Sequence, residues 1–313
     1  MVHRDALQTL QQTVWDARLP LEIRLAASEC RRFDIADPYL VASPRLSYLP
    51  LLLPRLHKFF SADLIADPET VSPYHGYFTF EGVPLKWHLP LGLLYDVYVL
   101  STSDAGPEDS DSAPLPFQLT LHFTQGSSEK PSLPDATPVV LHDSFINSVK
   151  EADFLRSGTA KPIMTLSTQE SKALWKSAQE NDLMTFSKIH NSLVPSSGQL
   201  RNIPLRVYLP SSPGHDPSKA QIKVVQSHVS PTINATLQGT PATLRAPSAG
   251  QPQTLGNALH NVLPSIFPSR RTTMLGTPLL HGAPVPMNAH LEELYRSACY
   301  ADGWLSIVVA MRG

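Results

Sequence analysis

Lys150 is the residue of this chain whose surroundings are ordered enough to suggest covalent chemistry. It falls in HDSFINSVKEADFLR, residues His142 to Arg156, where Phe145, Val149, Ala152 and Leu155 recur at steps of four and three, the stripe of an amphipathic helix. Asp143 and Ser144 offer oxygens for its N-cap. Lys150 lies off that stripe, on a second row with Ile146 four residues before it and Phe154 four after, so an amine stands between two apolar side chains. Two readings are open: a wide apolar face with one snorkelling lysine, or an amine presented to a partner. An amine attacks a carbonyl only when neutral, and an exposed lysine has a pKa near ~10.4. Glu151 and Asp153 beside it would favour the charged form, so activation would have to come from outside the chain.

Other chemistries find no support in the sequence. It contains no G-x-G-x-x-G, Walker loop, H-E-x-x-H, paired-Cys knuckle or G-x-S-x-G elbow. The 12 histidines are scattered, and His88 and His122 fall on the polar sides of predicted strands. Of the two cysteines, Cys30 sits in a loop beside Arg31 and Arg32, and Cys299 in a predicted helix where a buried, inert thiol is expected. Asp104, Glu108, Asp109 and Asp111 lack the ordered spacing of a cation loop. No cofactor, metal or catalytic residue is expected.

Two cysteines make no disulfide framework and suit a reducing cytosol. No signal peptide is expected before the first helix, and the longest apolar stretch, Trp87 to Leu100, is too short for a bilayer. The net charge of −2 hides an asymmetry: residues 1–200 carry 16 Lys and Arg against 23 Asp and Glu, residues 201–313 carry 9 against 4. The basic C-terminal part suits a solvated face, an acidic partner or an anionic membrane surface. Any membrane contact would be peripheral, and no nucleic-acid partner is expected.

The elements that must position Lys150 follow from periodicity. A short helix runs to about Ala17; Leu21, Ile23 and Leu25 alternate as a strand, with Tyr39 to Ala42 as its hairpin partner. Ser43 and Pro44 are placed to open a helix through Leu46, Leu49, Leu53, Leu56 and Phe60, which Pro50 and Pro54 must kink or restart. Phe78 and Phe80 pair across Glu81–Gly82 with a strand through Leu85, Trp87 and Leu89; a short helix from Pro90 and a strand over Phe117–Phe123 follow. Residues 125–139 read as a Pro-rich linker, and one long helix is expected over Thr168–Leu193. From Ile203 the first order returns: strands at 203–209 and 222–229, a Thr254-capped helix to Val262, a turn, a helix over Ala289–Ala298, and a strand over Leu305–Met311. The turn Phe80-Glu81-Gly82-Val83-Pro84-Leu85 has its counterpart in Leu280-His281-Gly282-Ala283-Pro284-Val285. The expected class is α+β: two ubiquitin-like β-grasp domains, 18–125 and 200–313, flanking a helix-rich domain, 140–195, after an N-terminal helix, 1–17. Ending Met311-Arg312-Gly313 after its last strand, without Gly-Gly, the chain is not expected to be a ubiquitin-like donor; it could be an acceptor.

These segments resemble the autophagy protein 5 family: PYLVASPRLSYLPLLLPRLHKFF (Pro38–Phe60), FEGVPLKWHLPLGLLYD (Phe80–Asp96), LPFQLTLHF (Leu115–Phe123), FINSVKEADFLR (Phe145–Arg156), ALWKSAQEND (Ala173–Asp182), RNIPLRVY (Arg201–Tyr208), TLGNALHNVLPSIF (Thr254–Phe267) and LHGAPVPM (Leu280–Met287). EGVPLKWHLPLGLL and VKEAD are its most specific parts; Pro50, Pro54 and the Ser211–Gln253 loop depart from the pattern. The resemblance implies that Lys150 receives autophagy protein 12 through an isopeptide bond, with Ile146 and Phe154 as the flank the modifier touches. It further implies a conjugate that binds the scaffold autophagy protein 16 as a helix in an apolar groove between the ubiquitin-like domains. That conjugate would meet the conjugating enzymes of autophagy and promote lipidation of autophagy protein 8, in the cytoplasm and peripherally on the preautophagosomal membrane. The chain would itself be non-catalytic. A ubiquitin-like adaptor that binds protein or lipid without conjugation is the alternative, and a cysteine-dependent enzyme a third that alanine at both cysteines would test.

Overall fold

A computed structural model describes residues 2–31, 36–101, 115–123, 136–196, 199–209, 222–233 and 250–311. The acidic loop residues Asp104, Glu108, Asp109 and Asp111, the linker at 125–135, most of the 211–253 loop and Arg312-Gly313 lie outside the described residues.

Helix α1 (Val2–Asp16) leads into β1 (Arg18–Leu25), whose alternate Leu19, Leu21, Ile23 and Leu25 are buried. β2 (Tyr39–Pro44) pairs antiparallel with it. Ser43 and Pro44 thus end a strand, and do not open the helix expected of them. The apolar run instead forms a 3-10 turn, Leu49–Leu52, and restarts as α2 (Leu53–Phe60), because the carbonyl of Pro50 gets no N–H from Pro54. β3 (Tyr77–Phe80) turns into β4 (Val83–Pro84), which is shorter than the alternation of Leu85, Trp87 and Leu89 suggests. After α3 (Leu91–Tyr95) and a π turn, Asp96–Leu100, β5 (Phe117–His122) closes a sheet ordered β2-β1-β5-β3-β4, with β1 and β5 parallel.

The helical region comprises α4 (Pro138–Ser157), α5 (Lys161–Met164), α6 (Thr168–Glu180) and α7 (Leu183–Leu193). The single helix expected over 168–193 is broken at Asn181, left-handed at φ 58°, and restarts on Asp182, whose carboxylate accepts from Met184 and Thr185 N–H.

The second sheet repeats the first. β6 (Ile203–Leu209) pairs antiparallel with β7 (Lys223–Val229), beyond which β8 (Thr232–Ile233) and β9 (Gln251–Pro252) form a small separate pair ahead of α8 (Leu255–Val262). β10 (Gly276–Leu280) and β11 (Ala283–Pro284) form the second turn, α9 (Leu291–Ala298) follows, and β12 (Leu305–Met311) lies parallel to β6, giving β11-β10-β12-β6-β7. β1, β2, β3, β4 and β5 correspond in pairing and direction to β6, β7, β10, β11 and β12. Both two-residue turns have positive φ at both central positions, Glu81 and Gly82 at 48° and 81°, His281 and Gly282 at 51° and 84°, the twist that suits a tight hairpin.

The two turns have different surroundings. In the second, the Gly282 N–H donates to buried Asp96 of the first unit, which Arg45 pairs. A Cβ at 282 would lie 3.0 Å from Arg45 Nη2 and 3.3 Å from Asp96 Oδ1, whereas one at 82 meets nothing within 4 Å. His281 Nε2–H donates to the Ala298 carbonyl at 2.9 Å, and burial pushes its pKa down to about 4. On another side α1 packs on α9, Trp15 meets Phe186 with ring centres 4.7 Å apart, and Asn181 Nδ2 donates to the Trp15 carbonyl at 2.7 Å. Both β-grasp units are thereby joined to each other and to the helices.

Candidate functional site

Helix α4 starts before Asp143. Thr137 is its N-cap, accepting the Val140 N–H at 3.3 Å, with Pro138 at the first position, so the end of the expected linker is helical. Gly158, at φ 76°, ends it with an N–H to the Phe154 carbonyl at 2.8 Å. Leu141, Phe145, Val149, Ala152 and Arg156 form the buried face.

Arg156 fixes the helix in place. Its Nη2 donates to Asp153 Oδ1 and its Nη1 to the Tyr295 hydroxyl of α9, both at 2.7 Å. Asp153 Oδ2 accepts the Ile163 N–H at 3.1 Å, which docks α5 beside α4. Glu151 points the other way, to Arg206 Nη2 of β6 at 2.9 Å. Arg206 also reaches Ser148 Oγ at 3.0 Å and Asp302 at 3.4 Å, and stacks 3.8 Å above the Trp304 ring. The expectation that Glu151 and Asp153 hold a proton on Lys150 is therefore corrected: each carboxylate is taken by a guanidinium.

Lys150 itself is exposed and has no hydrogen bond or ion pair among the described residues. It lines a groove of about 580 Å³ between α4 and the α5–α6 segment. Ile146 and Ile163 are buried in it, Leu166 is half-buried, and Val139 and Met164 stand exposed at its edges, with Lys172 across from Lys150. The flank expected from sequence is thus divided: Ile146 belongs to the groove wall, while Phe154 is 57% exposed and outside the groove. Ile163, Met164 and Leu166 carried no sequence signal, since a four-residue helix has too little periodicity to show its face.

A second cavity, about 340 Å³, lies on the opposite flank of α4, where both β-grasp units meet it. It is walled by Tyr48 and Leu93 of the first unit, Tyr208 and Tyr300 of the second, and by Lys86, Glu151 and Arg206. The junction is thus of mixed polarity, unlike the apolar groove expected there.

No arrangement for side-chain catalysis accompanies these features among the described residues. Burial pushes the Cys299 thiol up to about 12, far from a thiolate at neutral pH. No group of three or more His, Cys, Asp or Glu could hold a metal ion among the described residues, and no described helix is long and apolar enough to cross a membrane.

Comparison with known proteins covers all three parts. Residues 14–123 match the family model described as autophagy protein ATG5, UblA domain; 138–196 match its alpha-helical bundle region, and 202–309 its UblB domain. Autophagy protein 5 of Aspergillus fumigatus is 52% identical over 324 residues, covering 100% of this chain and 98% of the relative. That of Aspergillus clavatus is 51% identical over 325 residues, covering both chains fully. The crystal structure of Kluyveromyces marxianus Atg5 shares the fold with a TM-score of 0.69 at 18% identity, over 96% of this chain and 99% of that one.

Proposed function

The chain belongs to the autophagy protein 5 family, and from that premise we propose that Lys150 is the amine to which the ubiquitin-like modifier autophagy protein 12 is joined. The carrying observation is the state of that amine: exposed, without a partner among the described residues, and on a helix fixed by the Arg156–Asp153–Tyr295 network. Such a helix holds the nucleophile in one place while a conjugating enzyme brings the electrophile. In the transfer, the neutral Nζ attacks the carbonyl carbon of the modifier's C-terminal residue, held as a thioester on the enzyme's cysteine. The C–N bond forms, the C–S bond breaks, the thiolate leaves, and the amine's proton passes to solvent. The chain's own contribution is position. With both neighbouring carboxylates paired elsewhere, no ion pair among the described residues has to be broken to free the amine.

The conjugate binds autophagy protein 16 and acts as an E3-like factor for transfer of autophagy protein 8 to phosphatidylethanolamine, with this chain as its non-catalytic subunit. The junction cavity supports the scaffold's site: a helix laid there would meet aromatic walls and present polar side chains to Lys86, Glu151 and Arg206. The protein works in the cytoplasm and peripherally on the preautophagosomal membrane. Exposed Met274 and Leu275, close in sequence to exposed Arg270 and Arg271 in the loop before β10, suit an anionic bilayer.

The test is the intact mass of the protein recovered from its own cells, beside a Lys150→Arg version that keeps the charge. A large covalent adduct present in the first and absent in the second is expected. An adduct that survives moves the site to another lysine, and none in either overturns the acceptor role.

A further inference from the structure

Resting on the acceptor reading of Lys150, we infer that the groove between α4 and the α5–α6 segment seats an apolar side chain from the residue that precedes the modifier's C-terminal residue.

The argument begins with reach. Once the modifier's last carbonyl is bonded to Lys150 Nζ, the preceding residue's Cα lies about 3.8 Å beyond that of the last residue. Its side chain can therefore reach surfaces adjoining Lys150 and few others. Three such surfaces exist. Toward β6 the flank is polar and already satisfied, since Glu151 pairs Arg206, and Arg206 contacts Ser148 and Asp302. One turn toward the helix C-terminus stands Phe154, a side chain 57% exposed that lines neither cavity. One turn toward the N-terminus Ile146 leads into the groove, which Ile163 and Leu166 continue and exposed Met164 borders.

Of the three, the groove alone is concave and apolar. Its volume of about 580 Å³ falls within the roughly 300–1,000 Å³ typical of sites that hold small molecules. Filling it requires no rearrangement of a charged pair, because the Asp153 and Arg156 that fix α5 are buried beneath. Conjugation also changes its rim. Lys150 becomes a neutral amide, so the apolar residue enters beside one ammonium, that of Lys172, where two stood before.

A photoreactive benzoylphenylalanine placed at Met164, which is 72% exposed, reads the occupant directly in the full-length conjugate. Mass spectrometry is expected to find its crosslink on the last few residues of the modifier, and the same probe at Phe154 is expected to miss them. Met164→Asp is expected to slow adduct formation roughly tenfold, the cost of losing burial of one apolar side chain, without changing the thioester charge of the conjugating enzyme. Crosslinks to the modifier's folded body, or none, in a conjugate that has formed at Lys150 would overturn the groove assignment and leave the acceptor reading intact. Failure of any adduct to form at Lys150 would overturn the acceptor reading and this inference with it.

Discussion

Asp153→Ala is expected to be the most destabilising single change in the helical region, and its cost can be built from its bonds. Oδ1 accepts from Arg156 Nη2 at 2.7 Å and Oδ2 from the Ile163 N–H at 3.1 Å, in a site where Asp153 is 0% and Arg156 1% exposed. Alanine leaves the guanidinium buried with the Tyr295 hydroxyl, and Arg156 Nε already lacks a partner. Breaking a buried pair from one side costs about 3–5 kcal/mol. The orphaned Ile163 N–H adds about 1–3 kcal/mol if water does not reach it. A melting temperature lower by roughly 6–12 °C, followed by tryptophan fluorescence, is the scale expected for a chain of this size. Asp153→Asn separates the two bonds, because an amide oxygen can still accept from Ile163 while the charge opposite Arg156 is lost. Hydrogen exchange at the Ile163 amide should therefore stay slow in the Asn variant and become fast in the Ala variant. Equal exchange in both, or a loss under about 1 kcal/mol in the Ala variant, would refute the claim that this carboxylate joins α4 to α5.

Gly82→Ala and Gly282→Ala ask an alanine for the same left-handed backbone at about 1–2 kcal/mol; only at 282 does it also press on Arg45 and Asp96, so the 282 variant should melt lower, and equal melting points would deny the docking of that turn. His190 is held down to about 3 by burial and then by Arg156, and His281 down to about 4 by burial, so the folded state keeps both neutral while the unfolded chain protonates them below about 6.5. Their contribution is complete above that pH and is lost as pH falls through the window down to the folded values; each costs about 2 kcal/mol between pH 6.5 and 5, and His190→Leu should flatten the stability profile there. Arg270→Glu with Arg271→Glu should weaken binding to phosphatidylserine-containing vesicles at low salt by about 1 kcal/mol per charge removed or more, and unchanged sedimentation with vesicles would remove this loop from the membrane surface.

What the sequence made legible was whatever has a period or a pair. Leu19 to Leu25 and Leu305 to Met311 are strands in both readings, and the repeated turn was visible because a two-residue loop with φ above zero at both positions calls for Gly at one of them. Boundaries were lost where local chemistry had two uses. Ser43-Pro44 is as good an end to an edge strand as a start to a helix, and the choice was made by pairing with Arg18 and Leu19, far along the chain. Thr137-Pro138 was a helix start in plain view but sat at the end of a Pro-rich stretch that reads as linker. The site was half legible. Lys150 and Ile146 share a helical row, whereas Ile163, Met164 and Leu166 reach the groove through the Asp153 bond to Ile163, a tertiary contact with no periodic trace.

Helix α4 is best understood as a wall between two unlike cavities. Adjacent residues go to opposite sides: Lys150 to the apolar groove, Glu151 to the polar junction. Successive residues on a helix lie about 100° apart, so one rigid helix can serve two partners without either contact obstructing the other. The cost is that its orientation about its own axis must be fixed closely, since a rotation of one residue step would exchange lysine for glutamate at the groove. Four features set that rotation: the Thr137 cap, the Arg156–Tyr295 bond, the Asp153–Ile163 bond and the Trp304 Nε1–H donated to the Ser148 carbonyl at 3.1 Å. Tyr295 and Trp304 belong to the second β-grasp unit, so the orientation of the lysine depends on a domain that does not line its groove. On this reasoning the second unit is needed for presentation of Lys150 as well as for the junction cavity. Tyr295→Phe, which deletes the hydroxyl and keeps the ring, should then slow conjugation while leaving the groove residues untouched.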